Sequence, residues 1–338
     1  MIRSFQRKIG KLVMFIGMYR RKPALRVPLP DYIELEPTTR CNATCGTCSR
    51  SSLAGDNLKN DLSLETMHKV LDTLPDLTAI RLIGLGETFL NPHIEDILKL
   101  ARAKSIKIWI ITNGSLLLDQ RIRNLIHDYV YDVGISIDST DPDEFSRLRP
   151  MGKIGLTEVI AGTRLLIQER NQGRSNVIIG INSTVSHENY QNLPEIGSLC
   201  IDLSTDYLAV SFVENWLMKG DTDYQATSIR INQSLQCVSK IHTILKKQQF
   251  RLALRGILVG YKIPKRRIGN CQWPYRSVHI TAEGNVNPCC TRTQPHHGLF
   301  NILTDDFEKN WNGPAYQELR LAHMRKDTLN PICGSCPL

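Results

Sequence analysis

Two groups among the chain's ten cysteines have the spacing of metal ligands. In the first, Cys41, Cys45 and Cys48 place three thiols within eight residues, directly after a short alternating run, Tyr32 to Glu36, that reads as a strand. A structural zinc site needs four ligands and normally brings them as two separated pairs. Three thiols on one loop can instead hold three irons of a four-iron cluster and leave the fourth iron open to a substrate. The second group begins at Cys271 and closes with Cys333 and Cys336. No secretory signal precedes either group, so metal ligation in a reducing compartment is favoured over disulfides.

The elements that position the thiols follow a regular rhythm. Candidate strands are Tyr32 to Glu36, Ala79 to Gly84, Ile106 to Thr112, Val133 to Asp138, Val177 to Ser183 and Tyr207 to Phe212. Helical patterns cover Ser63 to Leu74, Ile94 to Lys104, Leu116 to Val130, Leu156 to Gln168, Leu193 to Leu203 and Ile229 to Gln249. Six βα units imply a parallel sheet curling toward a barrel. The predicted fold class is α/β, a partial (β/α)6 TIM-like barrel; the family resemblance given below implies that a small C-terminal α+β iron-sulfur module follows it. Functional residues then belong at the carboxyl ends of the strands. The divisions are 1–30, a basic N-terminal extension; 31–255, the barrel; and 256–338, the C-terminal module.

The net charge of +9 is concentrated at the N-terminus. Arg3, Arg7, Lys8, Lys11, Arg20, Arg21, Lys22 and Arg26 precede the first acidic residue, Asp31. Phe5, Ile9, Leu12, Val13 and Ile16 repeat there at helical spacing, which makes a basic amphipathic helix. Residues 3–26 thus suit contact with an anionic membrane surface, or docking on the outside of the barrel. The apolar run Leu12 to Met18 is too short to span a bilayer, and no cleavage site follows it. A basic arm without interleaved aromatics is weak evidence for nucleic acid.

The Cys-x3-Cys-x2-Cys loop after a first strand resembles that of the radical S-adenosylmethionine (SAM) superfamily, in which the open iron takes the amino and carboxylate groups of SAM. The resemblance implies SAM-facing residues at strand ends. Gly84, Gly86 and Glu87, in Gly84-Leu85-Gly86-Glu87-Thr88, resemble the Gly-Gly-Glu-Pro element that holds the SAM amino group. Leu85 interrupts the glycines and Thr88 replaces the proline. Asn113 after the third strand, Ser136 and Asp138 on the fourth, and Asn182 on the fifth are similar to family positions that face SAM or its ribose. Thr47 stands where relatives carry an aromatic residue near the adenine, so adenine contacts come from elsewhere. The segment Asp141 to Gly152 resembles the loop after the fourth strand in peptide- and sugar-modifying relatives, with Arg147 or Arg149 suited to clamp a carboxylate or phosphate. After the sixth strand, Glu214, Asn215 and Trp216 are placed at the barrel mouth, Glu214 being the candidate catalytic residue that binds or deprotonates substrate.

From Cys271 to Cys289 the chain reads as a hairpin turning at Ala282-Glu283-Gly284-Asn285. With Asn301-Ile302, Trp311-Asn312 and the terminal Cys-x2-Cys, this resembles the SPASM/twitch module. The further cysteines of a full SPASM module are missing. Cys271, Cys289, Cys333 and Cys336 remain as one complete set for a single auxiliary 4Fe-4S cluster, or for a zinc ion. Without a vacant iron, that cluster suits electron transfer or a structural role. Cys200 and Cys237 lie in apolar helical patterns, as core residues or as a hydrogen-donating thiol. Cys290 occupies the position where sulfatase-maturing relatives place a catalytic carboxylate.

The expected activity is reductive cleavage of SAM to a 5'-deoxyadenosyl radical that abstracts a substrate hydrogen, for two-electron dehydrogenation of a sugar, cyclitol or related small molecule. This makes the chain a radical SAM oxidoreductase with two 4Fe-4S clusters and SAM, served by a flavodoxin- or ferredoxin-type reductant. Alternatives are a radical SAM peptide maturase, performing crosslinking or epimerisation, and a zinc-binding interaction protein without radical chemistry. Only about thirty residues precede the first strand, where many such maturases carry a peptide-recognition domain of about eighty; this weighs against the peptide alternative without removing it, because a separate protein can supply recognition. The expected location is cytoplasmic, with peripheral contact at the inner membrane surface.

Overall fold

The computed structural model describes residues 26–53, 55–186, 188–212, 251–254, 271–290, 292–325, 327 and 332. The N-terminal helical pattern before Arg26, the stretch Ile229 to Gln249, Glu214, Asn215, Trp216, Cys237, Cys333 and Cys336 lie outside the described residues.

All six expected strands form: β1 Tyr32–Leu35, β2 Ala79–Leu82, β3 Lys107–Thr112, β4 Asp132–Ser136, β5 Ile178–Val185 and β6 Tyr207–Phe212. They pair in parallel in chain order, and β7, Arg251–Leu254, continues the series beyond β6. At the other edge β8, His279–Ile280, pairs in parallel with β1. There Glu34 N–H donates to Val278 O (3.0 Å) and Glu36 N–H to Ile280 O (2.8 Å). β8 turns back through β9, Asn285–Asn287, to β10, Phe300–Asn301, both antiparallel. One ten-stranded sheet therefore runs from the C-terminal module through the barrel wall, and the β1 edge is covered by the hairpin rather than left with unpaired backbone.

Strand alternation separates two faces. Ile33, Leu35, Ile80, Leu82, Ile108, Val133, Ile135, Ile179, Ile181, Leu208 and Val210 are wholly buried against the helices. Each such side chain contributes about 1.5–3 kcal/mol of burial. The covering helices are α1 Leu64–Thr73, α2 Ile94–Ala103, α3 Gln120–Tyr129, α4 Pro142–Leu148, α5 Leu156–Asn171 and α6 Leu193–Leu203. Met67, Val70 and Leu71 of α1, and Ile94, Ile97, Leu98 and Ala101 of α2, show the i, i+3, i+4 stripe that faces such a core. Ser63 caps α1 by accepting from Thr66 N–H (3.0 Å).

The segment after β4, expected as a loop, contains α4. Asp141 caps it by accepting from Glu144 N–H (2.7 Å), and Pro142 presets the first turn. The C-terminal module adds α7 Trp273–Arg276, α8 Phe307–Trp311 and α9 Pro314–Arg325. Val27 and Pro28 dock on it: Val27 N–H donates to Asn312 Oδ1 (2.7 Å), and Trp311 Nε1–H donates to Pro28 O (3.0 Å). Among the described residues no helix is long and apolar enough to cross a membrane.

Candidate active site

The cysteine loop leaves β1 at its carboxyl end and is fastened on both sides before the first thiol. Thr38 Oγ1–H donates to Asp61 Oδ1 (2.6 Å), Arg40 Nε–H to Asp61 Oδ2 (2.8 Å), and Thr39 N–H to Asn60 O (2.9 Å). Arg50 Nε–H donates back to Thr39 O (2.6 Å), closing the loop. Two backbone amides point at sulfur: Ala43 N–H at Cys41 Sγ and Arg50 N–H at Cys48 Sγ, each 3.4 Å. Burial is the main influence raising all three thiols above the ordinary value, and neighbouring thiols of the trio add to it in each case. Among the described residues no three ligating side chains are drawn together tightly enough to chelate a single ion. A four-iron cluster asks for a different geometry, with three sulfurs each on its own iron. Three half-buried thiols on one loop, with N–H groups aimed at sulfur, fit that demand.

Glu36, the last residue before the loop, is 1% exposed and faces the barrel lumen. Its Oε1 accepts from Leu85 N–H (2.8 Å) and its Oε2 from Ala282 N–H (3.3 Å). One carboxylate thus ties the Gly84–Thr88 loop to the hairpin turn of the C-terminal module. Gly84 lies so close that a Cβ there would stand 2.3 Å from Glu36 Cγ, and a Cβ on Gly86 would stand 2.3 Å from Thr38 O and 2.5 Å from Arg40 O. Both glycines are therefore required by the approach of this loop to the cysteine loop. Glu87 is buried with both oxygens engaged: Thr112 Oγ1–H donates to Oε1 (2.7 Å) and Asn113 N–H to Oε2 (2.7 Å). Its carboxyl is pushed up by burial. Asn113 Nδ2–H donates to Asn42 Oδ1 (2.8 Å), and Asn42 Nδ2–H to Ser115 Oγ (2.9 Å), so the end of β3 grips the cysteine loop.

On the far side, Asp138 Oδ2 accepts from Arg149 Nε–H (2.5 Å) and Asp138 Oδ1 from Thr184 N–H (2.7 Å). The Arg149 guanidinium opposes the burial-driven rise of the Cys45 and Cys48 thiols. Thr44 N–H donates to Pro150 O (3.1 Å), so this segment backs the loop directly. Arg147, by contrast, is exposed and paired with Glu144 and Glu188. Ser136 and Asn182 pair across β4 and β5. The buried Nδ2 of Asn182 and Oγ of Ser183 have no protein partner. Glu87, Asn113 and Asp138 are thus assembled around the three thiols, with Ser136 and Asn182 one layer below in the lumen.

In the C-terminal module Cys271, Cys289 and Cys290 are half-buried. Gly284 turns the expected hairpin at φ +88°, and Asn301 Nδ2–H donates to Glu283 O (3.1 Å) to hold it. Arg320 is buried with its guanidinium over the rings of Trp311 (4.6 Å) and Tyr316 (5.2 Å). Cys200 is fully buried in α6, where burial pushes its thiol up to about 12. The sequence reading missed Glu36 as a link between the two modules; its signal was a second carboxylate, after Glu34, on the lumen-facing side of the strand that enters the cysteine loop.

A family profile described as the Radical SAM superfamily matches residues 35–193, and a second, SPASM, described as an iron-sulfur cluster-binding domain, matches residues 271–337. The chain belongs to the radical SAM superfamily. Its cofactors are SAM and 4Fe-4S clusters, one on the SAM-binding loop and the auxiliary kind in the SPASM region. Among curated proteins, this radical SAM chain is similar to the tungsten-containing aldehyde ferredoxin oxidoreductase cofactor-modifying protein of Pyrococcus furiosus, at 22% identity over 91% of this chain and 87% of that one. It is similar to the antilisterial bacteriocin subtilosin biosynthesis protein AlbA of Bacillus subtilis, at 24% identity over 92% of this chain and 68% of the relative. Among solved structures, Streptococcus suis SuiB bound to precursor peptide SuiA shares the fold, with a TM-score of 0.67, 17% identity, and coverage of 86% of this chain and 67% of that one.

Proposed function

We propose that this radical SAM enzyme modifies a peptide, with a SAM-cleaving barrel over residues 31–255 and an auxiliary-cluster module over residues 256–338. The observation that carries the reading is likeness across both modules at once. The relative named for bacteriocin biosynthesis aligns over 92% of the chain, and the neighbour bound to a precursor peptide has the same fold over 86% of it. The expected dehydrogenation of a sugar or cyclitol gives way to the peptide alternative.

When bound, the clusters and SAM supply reductive cleavage, a carbon radical and a route for electrons. The chain's own residues supply placement. Cys41, Cys45 and Cys48 would hold the SAM-binding cluster, and Cys271, Cys289, Cys333 and Cys336 the auxiliary one. Arg149, held by Asp138, presents a fixed positive charge beside the first set, suited to a SAM carboxylate. Glu87 and Asn113 hold the loop ends so that backbone groups of residues 84–88 face the ligand. The walls of the lumen exclude water and stray hydrogen donors from a reactive carbon. A flavodoxin- or ferredoxin-type protein would deliver electrons.

The test is anaerobic reconstitution with iron and sulfide, then incubation with SAM, a reductant and a precursor-peptide library. Expected are 5'-deoxyadenosine and a peptide product of altered mass, both lost when Cys41, Cys45 and Cys48 are all changed to Ala. A fully loaded protein that cleaves SAM only when a sugar is supplied would overturn the peptide reading.

A further inference from the structure

The lumen beneath the cysteine loop holds a cavity of about 480 Å³ lined by Tyr32, Arg81, Trp109, Asp132, Ile178 and Tyr207, among others. These residues come from strands β1 to β6, so the sheet curls far enough to bring Tyr32 and Tyr207 to one space. Most of them stand in one cross-strand row. Glu34 pairs with His279 on one side and Arg81 on the other; Arg81 pairs with Trp109, Trp109 with Asp132, and Asp132 with Ile178. A row of residues in register on one face points its side chains into one space. Gly180, in the next row, makes room for the Tyr207 ring, whose hydroxyl donates to Asp132 Oδ1 (2.7 Å).

Arg81 is the one cation among the residues lining this cavity. Its ion pair with Glu34, Nη1 to Oε1, is 3.4 Å long, well outside the 2.7–2.9 Å of a strong charge-assisted bond. Glu34 in turn lies 3.7 Å from Nδ1 of His279, which is 0% exposed and has neither ring nitrogen satisfied by the protein. Asp132 is already occupied by Tyr207. Tyr32 and Trp109 meet edge to face at 5.6 Å beside the guanidinium. A guanidinium whose pairing is one long bond to Glu34 and a bond with the Tyr32 hydroxyl, flanked by aromatic rings and backed by an unsatisfied buried imidazole that can take over Glu34, is suited to receive an anion that carries an apolar or aromatic body.

We propose that the lumen floor is a substrate-anchoring subsite in which Arg81 binds a carboxylate of the peptide, with Tyr32 and Trp109 packing on the attached apolar group. The subsite rests on the peptide reading. It selects substrates by charge, far from the loop where the cofactor is held. The carboxylate comes either from the end of a chain or from an acidic side chain.

Equilibrium binding to the reconstituted full-length protein, without reductant, tests this. N-acetylphenylalanine against its amide probes a terminal carboxylate. N-acetyl-glutamyl-phenylalaninamide against its glutaminyl analogue probes a side-chain carboxylate. At least a tenfold preference for the acid in either pair, lost in Arg81→Met, restored in part in Arg81→Lys and enlarged in Glu34→Gln, is the expected result. Equal binding of acid and neutral partner in both pairs, or a preference that survives in a folded Arg81→Met, overturns the subsite. If Arg81→Met fails to fold, the Glu34→Gln result decides alone: unchanged or weaker acid binding overturns the proposal. Formation of 5'-deoxyadenosine from SAM by the wild-type protein, measured separately, stays in place if only the subsite is wrong and is absent if the radical reading itself fails.

Discussion

Replacing Glu36 with Ala should loosen two loops that are far apart in sequence. In the wild type, Leu85 N–H sits 2.8 Å from one carboxylate oxygen and Ala282 N–H sits 3.3 Å from the other. Both amides are buried, and a buried donor left without an acceptor costs about 1–3 kcal/mol. The longer bond belongs at the low end of that range, and relief from burying the carboxyl offsets part of the sum. A net loss of about 2–3 kcal/mol follows for the local closed state, or amide exchange faster by about 30- to 150-fold. Hydrogen exchange read by mass spectrometry on the reconstituted protein should show this in both the segment containing Leu85 and the segment containing Ala282. Unchanged exchange in both segments would refute the bridge. Exchange altered around Leu85 alone would refute its reach into the C-terminal module. The pH dependence carries a further sign. Burial holds the Glu36 carboxyl above its usual value of 4.5, so the folded chain binds this proton more tightly than the unfolded chain does. The associated stability is complete below the unfolded value and is lost as pH rises through the folded one. Glu36→Gln removes that dependence, and its melting temperature should gain on that of the wild type as pH is raised from about 5 to about 8.

Gly86→Ala would push a methyl group to 2.3 Å from Thr38 O and 2.5 Å from Arg40 O, both backbone atoms of the cysteine loop. Overpacking of about 1–3 kcal/mol and a fall in iron bound per chain are expected, measured by thermal melting and iron counting. Gly180→Ala would meet the Tyr207 ring at 2.2 Å. Tyr207→Ala removes the obstacle, so a double-mutant cycle should show a coupling of at least about 1 kcal/mol, and additive effects would contradict the packing of the lumen floor.

Much of the site was legible because local spacing is what a loop-borne cluster needs. Cys41, Cys45 and Cys48 are brought together by a few residues of chain, and Asp138 and Asn113 by their places at strand ends. Helix α4 stands where the resemblance implied a loop, and its start is set locally by Asp141 and Pro142, a cap followed by a first-turn proline. The Glu87 carboxylate is bonded by Thr112 and Asn113, which anchors the loop whose backbone was expected to serve the cofactor. Nothing local reveals that, since the partners lie 25 and 26 residues away.

By itself the sequence determined the periodicities: which faces of the strands and helices are apolar, where the turns fall, and which thiols share a loop. These are short-range consequences of side-chain alternation and backbone preference. Tertiary structure alone decided what meets across the lumen. The pairing of β8 with β1 sets His279 beside Glu34 and Arg81 and brings Ala282 to Glu36. Register between strands about 245 residues apart depends on which edge is left unpaired once the helices have covered the outer face, and that is a property of the assembled sheet.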